Sequence, residues 1–328
     1  MNRAWPEESV AFGEATREAL ARLGGLAFVR TAEREPERRA AAGAAFDALG
    51  LSTLDPAAGP DEGFAASAAT REAGRVLCPW PVVPELVARA SRSPAAAVYV
   101  VDRRPSRLEH LDLVAGAAVV DLRTGEASAV YAGGPAPSRL DPFGVTTESG
   151  SPIVLDADAA VAWHAVLLAH WLLGALGHAA EIAVEHARTR RQFGEPLAAF
   201  GAIKWRLSDI ELARTGLEEI AAFTLWLLAA GHCRRSDTLA LRLATADAVR
   251  CVLDNAHQVL AATGLCDEHD VSLISRHVQA PVRRAGSVSA LAALLAGAVG
   301  DEGFSALYDV APSQSGANAH AALTRPGR

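Results

Sequence analysis

The stretch Thr189–Pro196 (TRRQFGEP) gathers two arginines, an amide, an aromatic ring, a glycine and a proline. Guanidinium groups at a chain reversal suit the binding of an anion, since their planar fork matches phosphate and carboxylate. The same letters also spell the end of a helix. Arginines complement the carbonyl end of the helix dipole, Gly194 suits a left-handed turn, and Pro196 prevents continuation. On these residues alone both readings stand. Elsewhere, Cys78, Cys233, Cys251 and Cys266 form no CxxC pair and no metal-like spacing with histidine. They read as reduced thiols, and no metal is expected.

The elements that must position these groups are mostly helical. Half of the 328 residues are apolar, and alanine and leucine dominate while aromatic residues are sparse. Apolar residues recur at three- and four-residue spacing over 7–22, 34–48 and 62–77. Pro56, Gly59, Pro60, Pro79, Pro81 and Pro84 punctuate them. Between Ala95 and Leu155 the character changes to short β-like runs, AAAVYVVD, LDLVAGAAVVDL and ASAVYAG, enough for a small sheet. From Asp156 or Asp158, either of which can cap, one helix reads to Arg191 and a second from Pro196 to Ala230. A third starts at Ser236 or Asp237 and reaches Ala262, and a fourth lies around Ser287–Gly300. The expected organisation is mostly α: an N-terminal helical domain over 1–92, a reduced β domain over 93–155, a C-terminal four-helix bundle over 156–310, and a polar tail over 311–328.

The formal charge of −7 argues against nucleic acid or an anionic membrane as a partner, and Lys204 is the single lysine. The run AVAWHAVLLAHWLLGALGHAA carries three histidines and reads as a buried helix rather than a membrane span. The first twenty residues are acidic and amphipathic, without the apolar core of a leader, so a cytoplasmic protein is expected.

Three motifs in order resemble the acyl-CoA dehydrogenase family. The segment AVEHARTRRQFGEPLAAFGAIKWRLSDIEL is similar to that family's R-x-QFG signature through Arg190, Gln192, Phe193, Gly194, Leu197, Phe200, Ile203, Leu207, Ser208 and Asp209. Gly201 stands where glutamine is usual. Upstream, EAGRVLCPWP resembles an E-x-G-R and Pro-turn segment; downstream, AHQVLAATGLCDEHDVSLISRHV resembles the Q-x-x-G-G segment. The resemblance implies FAD. The residue matching Arg190 contacts its pyrophosphate, those matching Gln192 and Phe193 lie against its adenosine, and Gln258 with the backbone from Ala261 and Ala262 to Gly264 approaches the same half. In the family the flavin ring sits largely on a neighbouring subunit. The family's paired glycines are here Ala261 and Ala262.

The family's catalytic carboxylate removes an α-proton from an acyl thioester and occupies one of two positions. Counting twenty-seven residues beyond Gln258 reaches Ala285. Counting twenty-six back from Arg190 reaches His164. Neither is a carboxylate. His164 and Glu268 are the substitutes to weigh as base. The loop that bonds the flavin ring has no convincing match, and TTESGS at 146–151 sits at the wrong end. The leading expectation is a base-less subunit of a heteromeric, FAD-dependent acyl-CoA dehydrogenase acting on a bulky, steroid-type acyl-CoA. In the α2β2 heterotetramer that the resemblance implies, a longer partner chain supplies the glutamate and ring pocket, and the FAD is shared. The alternatives are a flavin-free interaction protein with the same fold and a self-sufficient flavoenzyme with an unusual base.

Overall fold

The computed structural model describes residues 5–284 and 286–303. Alanine-rich segments bounded by glycine and proline become helices. α1 (Glu7–Leu23) begins behind Pro6 with Glu7 and Glu8 in its first turn and ends at Gly24 with φ 110°. α2 (Leu26–Arg34), α3 (Ala40–Ala48), α4 (Pro60–Arg75) and α5 (Val82–Ala90) complete the first helical layer. α2 and α5 add to the three helices expected there. Pro84 lies in the first turn of α5, where a missing N–H costs no intrahelical bond.

The expected β-like runs form β1 (Ala97–Val101), β3 (Ala117–Asp121) and β4 (Ala127–Pro135), joined by β2 (Arg107–Glu109) and β5 (Gly144–Pro152). The strand order is β1-β3-β4-β5-β2. β1 and β3 run parallel with Val98 opposite Ala118, and the remaining pairs are antiparallel. Alternation divides the faces. Val98, Val100, Ala118 and Val120 join the main core. Tyr99, Val101, Val119, Leu108 and Val145 form a separate small core on the other face.

α6 (Ala157–Thr189) is the spine of the molecule. The Asp156 side chain caps it by accepting from the Ala159 N–H at 2.9 Å. α6 is long and apolar enough to cross a membrane, but 83% of its apolar eighteen-residue window is packed inside the protein. A second such stretch, 270–302, is divided between α9 and α10 and is 18% buried. α6 crosses α4 so closely that the carbonyl oxygen of Trp171 and that of Arg71 approach Gly74 and Gly174 respectively. After α6 come the paired strands β6 (Arg191–Gln192) and β7 (Glu195–Pro196), then α7 (Gly201–Ala229) and α8 (Arg235–Leu260). α9 (Asp270–Arg284) and α10 (Val288–Glu302) follow, and Ser287 caps α10 through the Ala290 N–H at 3.2 Å.

The four long helices expected from the sequence are α6, α7, α8 and α10, and α9 is an additional one. Three ends move. α6 stops at Thr189 rather than Arg191, because the backbone turns extended at Arg190 (φ −72°, ψ 125°). α7 starts at Gly201, since 191–200 is spent on the hairpin and one 3₁₀ turn. α8 starts at Arg235, one residue before the expected cap, because the Asp237 carboxylate accepts from the Arg234 N–H. The tail at 311–328 lies outside the described residues, as does Ala285.

Candidate functional site

Two regions bear on function. The first is one end of the bundle, where α6 and α8 finish and α7 and α9 begin. There the chain reverses through Phe193 (φ 54°) and Gly194 (φ 86°), between Arg191 opposite Pro196 and Gln192 opposite Glu195. Two consecutive left-handed residues make the mirror-image turn that suits a two-residue hairpin. Gly194 therefore takes its positive φ as the second turn residue, not as a helix C-cap. Phe193, a non-glycine residue, carries strain at that position. Its ring is 92% exposed and touches the molecule edge-on at Phe200, centroid to centroid 6.2 Å.

Arg190, Arg191 and Gln192 are all exposed. Arg190 is fixed by its backbone, donating to the His186 carbonyl at 2.9 Å and accepting from Leu197 at 2.8 Å. Among the described residues no hydrogen bond or ion pair engages the side chains of these three. Exposed Gln258 lies in the last turn of α8, and Ala262 lies in the 3₁₀ turn Ala261–Leu265 that follows. Arg206, early in α7, donates to Asn255 Oδ1 at 3.1 Å, which ties the start of α7 to the last turns of α8. All five expected cofactor residues thus stand at one end of the bundle, exposed. Ala261 holds φ 51° and ψ −134°, a conformation natural to glycine and costly for alanine.

The second region is a cavity of about 70 Å³ between the first helical layer, the sheet and α9. Trp80, Trp171 and Phe143 wall it, and its polar groups come from His164, His110, His277, Tyr99, Glu109, Asp141 and Arg284. His164 is a counted carboxylate position, and Arg284 immediately precedes the other. The first counted position therefore lies in the cavity wall, together with the residue that precedes the second in sequence. Arg284 is buried and ion-paired with Glu109 from β2, whose backbone carbonyl accepts from the Tyr99 hydroxyl at 2.8 Å. Burial alone would lower the Arg284 pKa, but the Glu109 carboxylate outweighs it and the net shift is upward.

His164 is buried, and its Nδ1 lies 3.1 Å from Arg242 Nη2, which also donates to the Val161 carbonyl. Arginine has only donors, so Nδ1 is the acceptor and the proton sits on Nε2. Burial, helped by the Arg242 charge, pushes the His164 pKa well below its usual value. A neutral imidazole whose lone pair faces an arginine cannot take a proton from the cavity. Glu268 is exposed and lines a surface groove beside Arg30 and Arg139, away from the cavity. Neither residue has the geometry of a base.

Asp141 sits in the β4–β5 connection and has no ion-pair partner among the described residues. Burial, with help from the Glu109 charge, raises its pKa to about 6. The folded-state value lies above the ordinary 3.8, so ionised Asp141 weakens the fold above pH 6, and protonation relieves this as the pH falls toward 4. Asp141→Asn is therefore expected to be more stable than the parent at pH 8 by about 1–2 kcal/mol. Urea midpoints measured from pH 8 down to pH 5 should show that gap closing. A gap independent of pH would contradict this charge balance.

A fit test separates the two regions. A cavity of 70 Å³ lies far below the roughly 300–1,000 Å³ that pockets for drug-sized ligands occupy, so it does not admit a flavin ring. The exposed hairpin, with unengaged guanidinium groups and a free aromatic face, does fit the nucleotide end of such a cofactor. The sequence pointed to His164 in this cavity but not to Glu109, Asp141 and Arg242. No motif marks them, because tertiary packing alone brings them together.

Residues 156–296 match the family model described as acyl-CoA dehydrogenase, C-terminal domain. Acyl-CoA dehydrogenase IpdE2 of Mycobacterium tuberculosis is 31% identical over 110 residues, a stretch covering 33% of this chain and 33% of that protein. Among solved structures, the Tcur3481–Tcur3483 steroid ACAD superposes with TM-score 0.78 at 15% identity, covering 91% of this chain and 99% of that one. The ChsE4–ChsE5 complex of M. tuberculosis gives 0.74 at 18% identity, covering 95% and 100%. Butyryl-CoA dehydrogenase of Megasphaera elsdenii gives 0.69 at 13% identity, covering 91% and 100%. At these identities the superpositions speak to the fold.

Proposed function

We propose, for a chain that has the acyl-CoA dehydrogenase fold and matches that family's C-terminal domain over residues 156–296, that it serves as the base-less subunit of a heteromeric acyl-CoA dehydrogenase. The carrying observation is the cavity. His164, at one of the two positions where the family places its catalytic carboxylate, gives the cavity only a donor, and Arg284, one residue before the other position in sequence, is locked to Glu109. The space left is too small for ring and thioester together.

The other half of the machinery is kept. Arg190, with its backbone pinned and its guanidinium free, would pair with the pyrophosphate of FAD, while Gln192 and Phe193 would lie along the adenosine. Gln258 and the backbone at Ala262 would close the same end. The strained conformation at Ala261 supports this reading, because it preserves a glycine-type turn where the glycine itself is gone. FAD bound there would supply a hydride acceptor for α,β-dehydrogenation of an acyl-CoA, with the ring and base on a longer partner chain. A bulky, steroid-type acyl group is the substrate class we favour, since two of the structural relatives are a steroid ACAD and a two-component complex. This chain's own part is to bind and orient the nucleotide end. Like that machinery, it is expected to work in the cytoplasm.

The rival reading, a flavin-free interaction protein, draws on the loss of both glycines to Ala261 and Ala262. Expression separates the two. Alone, the chain should purify without flavin absorbance and without acyl-CoA dehydrogenase activity. Co-expressed with a longer acyl-CoA dehydrogenase chain encoded beside it, it should purify as a yellow, active complex. A yellow, active preparation of this chain alone would refute the proposal.

A further inference from the structure

The cavity holds hydrogen-bonding capacity that nothing in the fold consumes. With Nδ1 turned to Arg242, which does not line the cavity, His164 presents its Nε2–H on the opposite edge. Among the described residues nothing accepts from it. Asp141 is the acceptor without a partner among the described residues, while Arg284 and Glu109 satisfy each other, the Tyr99 hydroxyl is already spent, and the lining histidines His110 and His277 are engaged by Arg39 through Nδ1 and by Glu33 through Nε2. One wall therefore donates and another accepts.

The chemistry of an occupant follows from these walls. It needs an acceptor oxygen for His164 and an N–H or O–H for Asp141. With Glu109 neutralised by Arg284, Asp141 in the wall disfavours an anion, and the Arg242 charge behind His164 disfavours a cation. A water takes roughly 10–15 Å³ of such volume, so about 70 Å³ admits some five water-sized groups. We propose that this cavity is a binding site for a small uncharged amide, with its carbonyl on His164 Nε2–H and its amino group on Asp141. Arg242 acts as the positioning residue that fixes the histidine tautomer. The proposal stands on the cavity alone and does not depend on the heteromeric reading.

The test uses the full chain, alone or in its complex, with ¹⁵N-labelled histidine. The His164 signal is expected to show a protonated Nε2 and an unprotonated Nδ1 that does not titrate across neutral pH. Acetamide should shift that signal saturably, and acetate at pH 8 should not, with sodium chloride as the ionic control. In His164→Phe the acetamide-dependent rise in melting temperature should vanish. If that variant fails to fold, the parent titration decides alone. A protonated Nδ1, a response to acetate but not acetamide, or no saturable response to either would overturn the proposal, the last meaning that water alone fills the cavity.

Discussion

Arg190→Ala, introduced into the complex with the longer chain, is expected to purify with most of its flavin missing. Arg190 stands on extended backbone just past α6, held by two main-chain hydrogen bonds, and its guanidinium has no protein partner among the described residues. Its removal therefore leaves the fold unchanged. What is lost is a charge-assisted contact to phosphate of roughly 1.5–3 kcal/mol, which weakens binding by about tenfold to over a hundredfold. Arg191→Ala is the matched control: it removes an exposed charge from the same hairpin and leaves the R-x-QFG pattern intact. Flavin content should then change less than about twofold, within the range of an exposed charge. If Arg190→Ala keeps full flavin content, the grip belongs entirely to the partner, and the interaction-protein reading takes its place.

Gly174→Ala is expected to destroy the fold, or to cost about 3 kcal/mol or more if the chain survives. A Cβ on Gly174 would lie 1.9 Å from the Arg71 carbonyl oxygen and 2.7 Å from the Arg75 nitrogen, and one on Gly74 would lie 1.8 Å from the Trp171 carbonyl oxygen. Backbone faces backbone on both sides, so no side chain can swing away. α4 and α6 would have to separate, opening the core that also shapes the cavity through Trp171 and His164. Gly177, one turn further along α6, meets nothing within 4 Å. There Gly→Ala should stabilise by about 0.5–1 kcal/mol through helix propensity alone. Denaturation midpoints for the two variants should move in opposite directions.

Much of this architecture is legible in the sequence, for identifiable reasons. Asp156 and Ser287 announce α6 and α10 because a short oxygen-bearing side chain before an apolar run has one capping geometry. The valine-rich runs at β1 and β3 declare themselves as short apolar segments, which the fold buries on both faces. Three other elements do not. α5 is hidden by its prolines, which mark turns in most contexts but sit harmlessly in a first turn. α9 carries Pro281 in its interior, where periodicity alone argues for a break. β5 reads GVTTESGSP with most of its residues outside the core, so no apolar repeat betrays it.

The site divides along the same line. Arg190, Gln192 and Phe193 lie within four consecutive residues, so their motif is visible in the chain itself. The cavity is assembled from residues near 80, 109, 141, 164 and 284, which only the packing of the sheet and α9 onto α6 unites. Counted offsets led to His164 and could not foresee what surrounds it: Arg242, which holds that histidine, and Arg284, already neutralised by Glu109.

The most direct measurement is the flavin stoichiometry of the purified complex, from flavin absorbance against the molar amount of each chain. One flavin per longer chain is expected, with none attributable to the cavity of this one. Two flavins for every pair of unlike chains would show that this chain builds a complete flavin site of its own, and would contradict its role as a half-site.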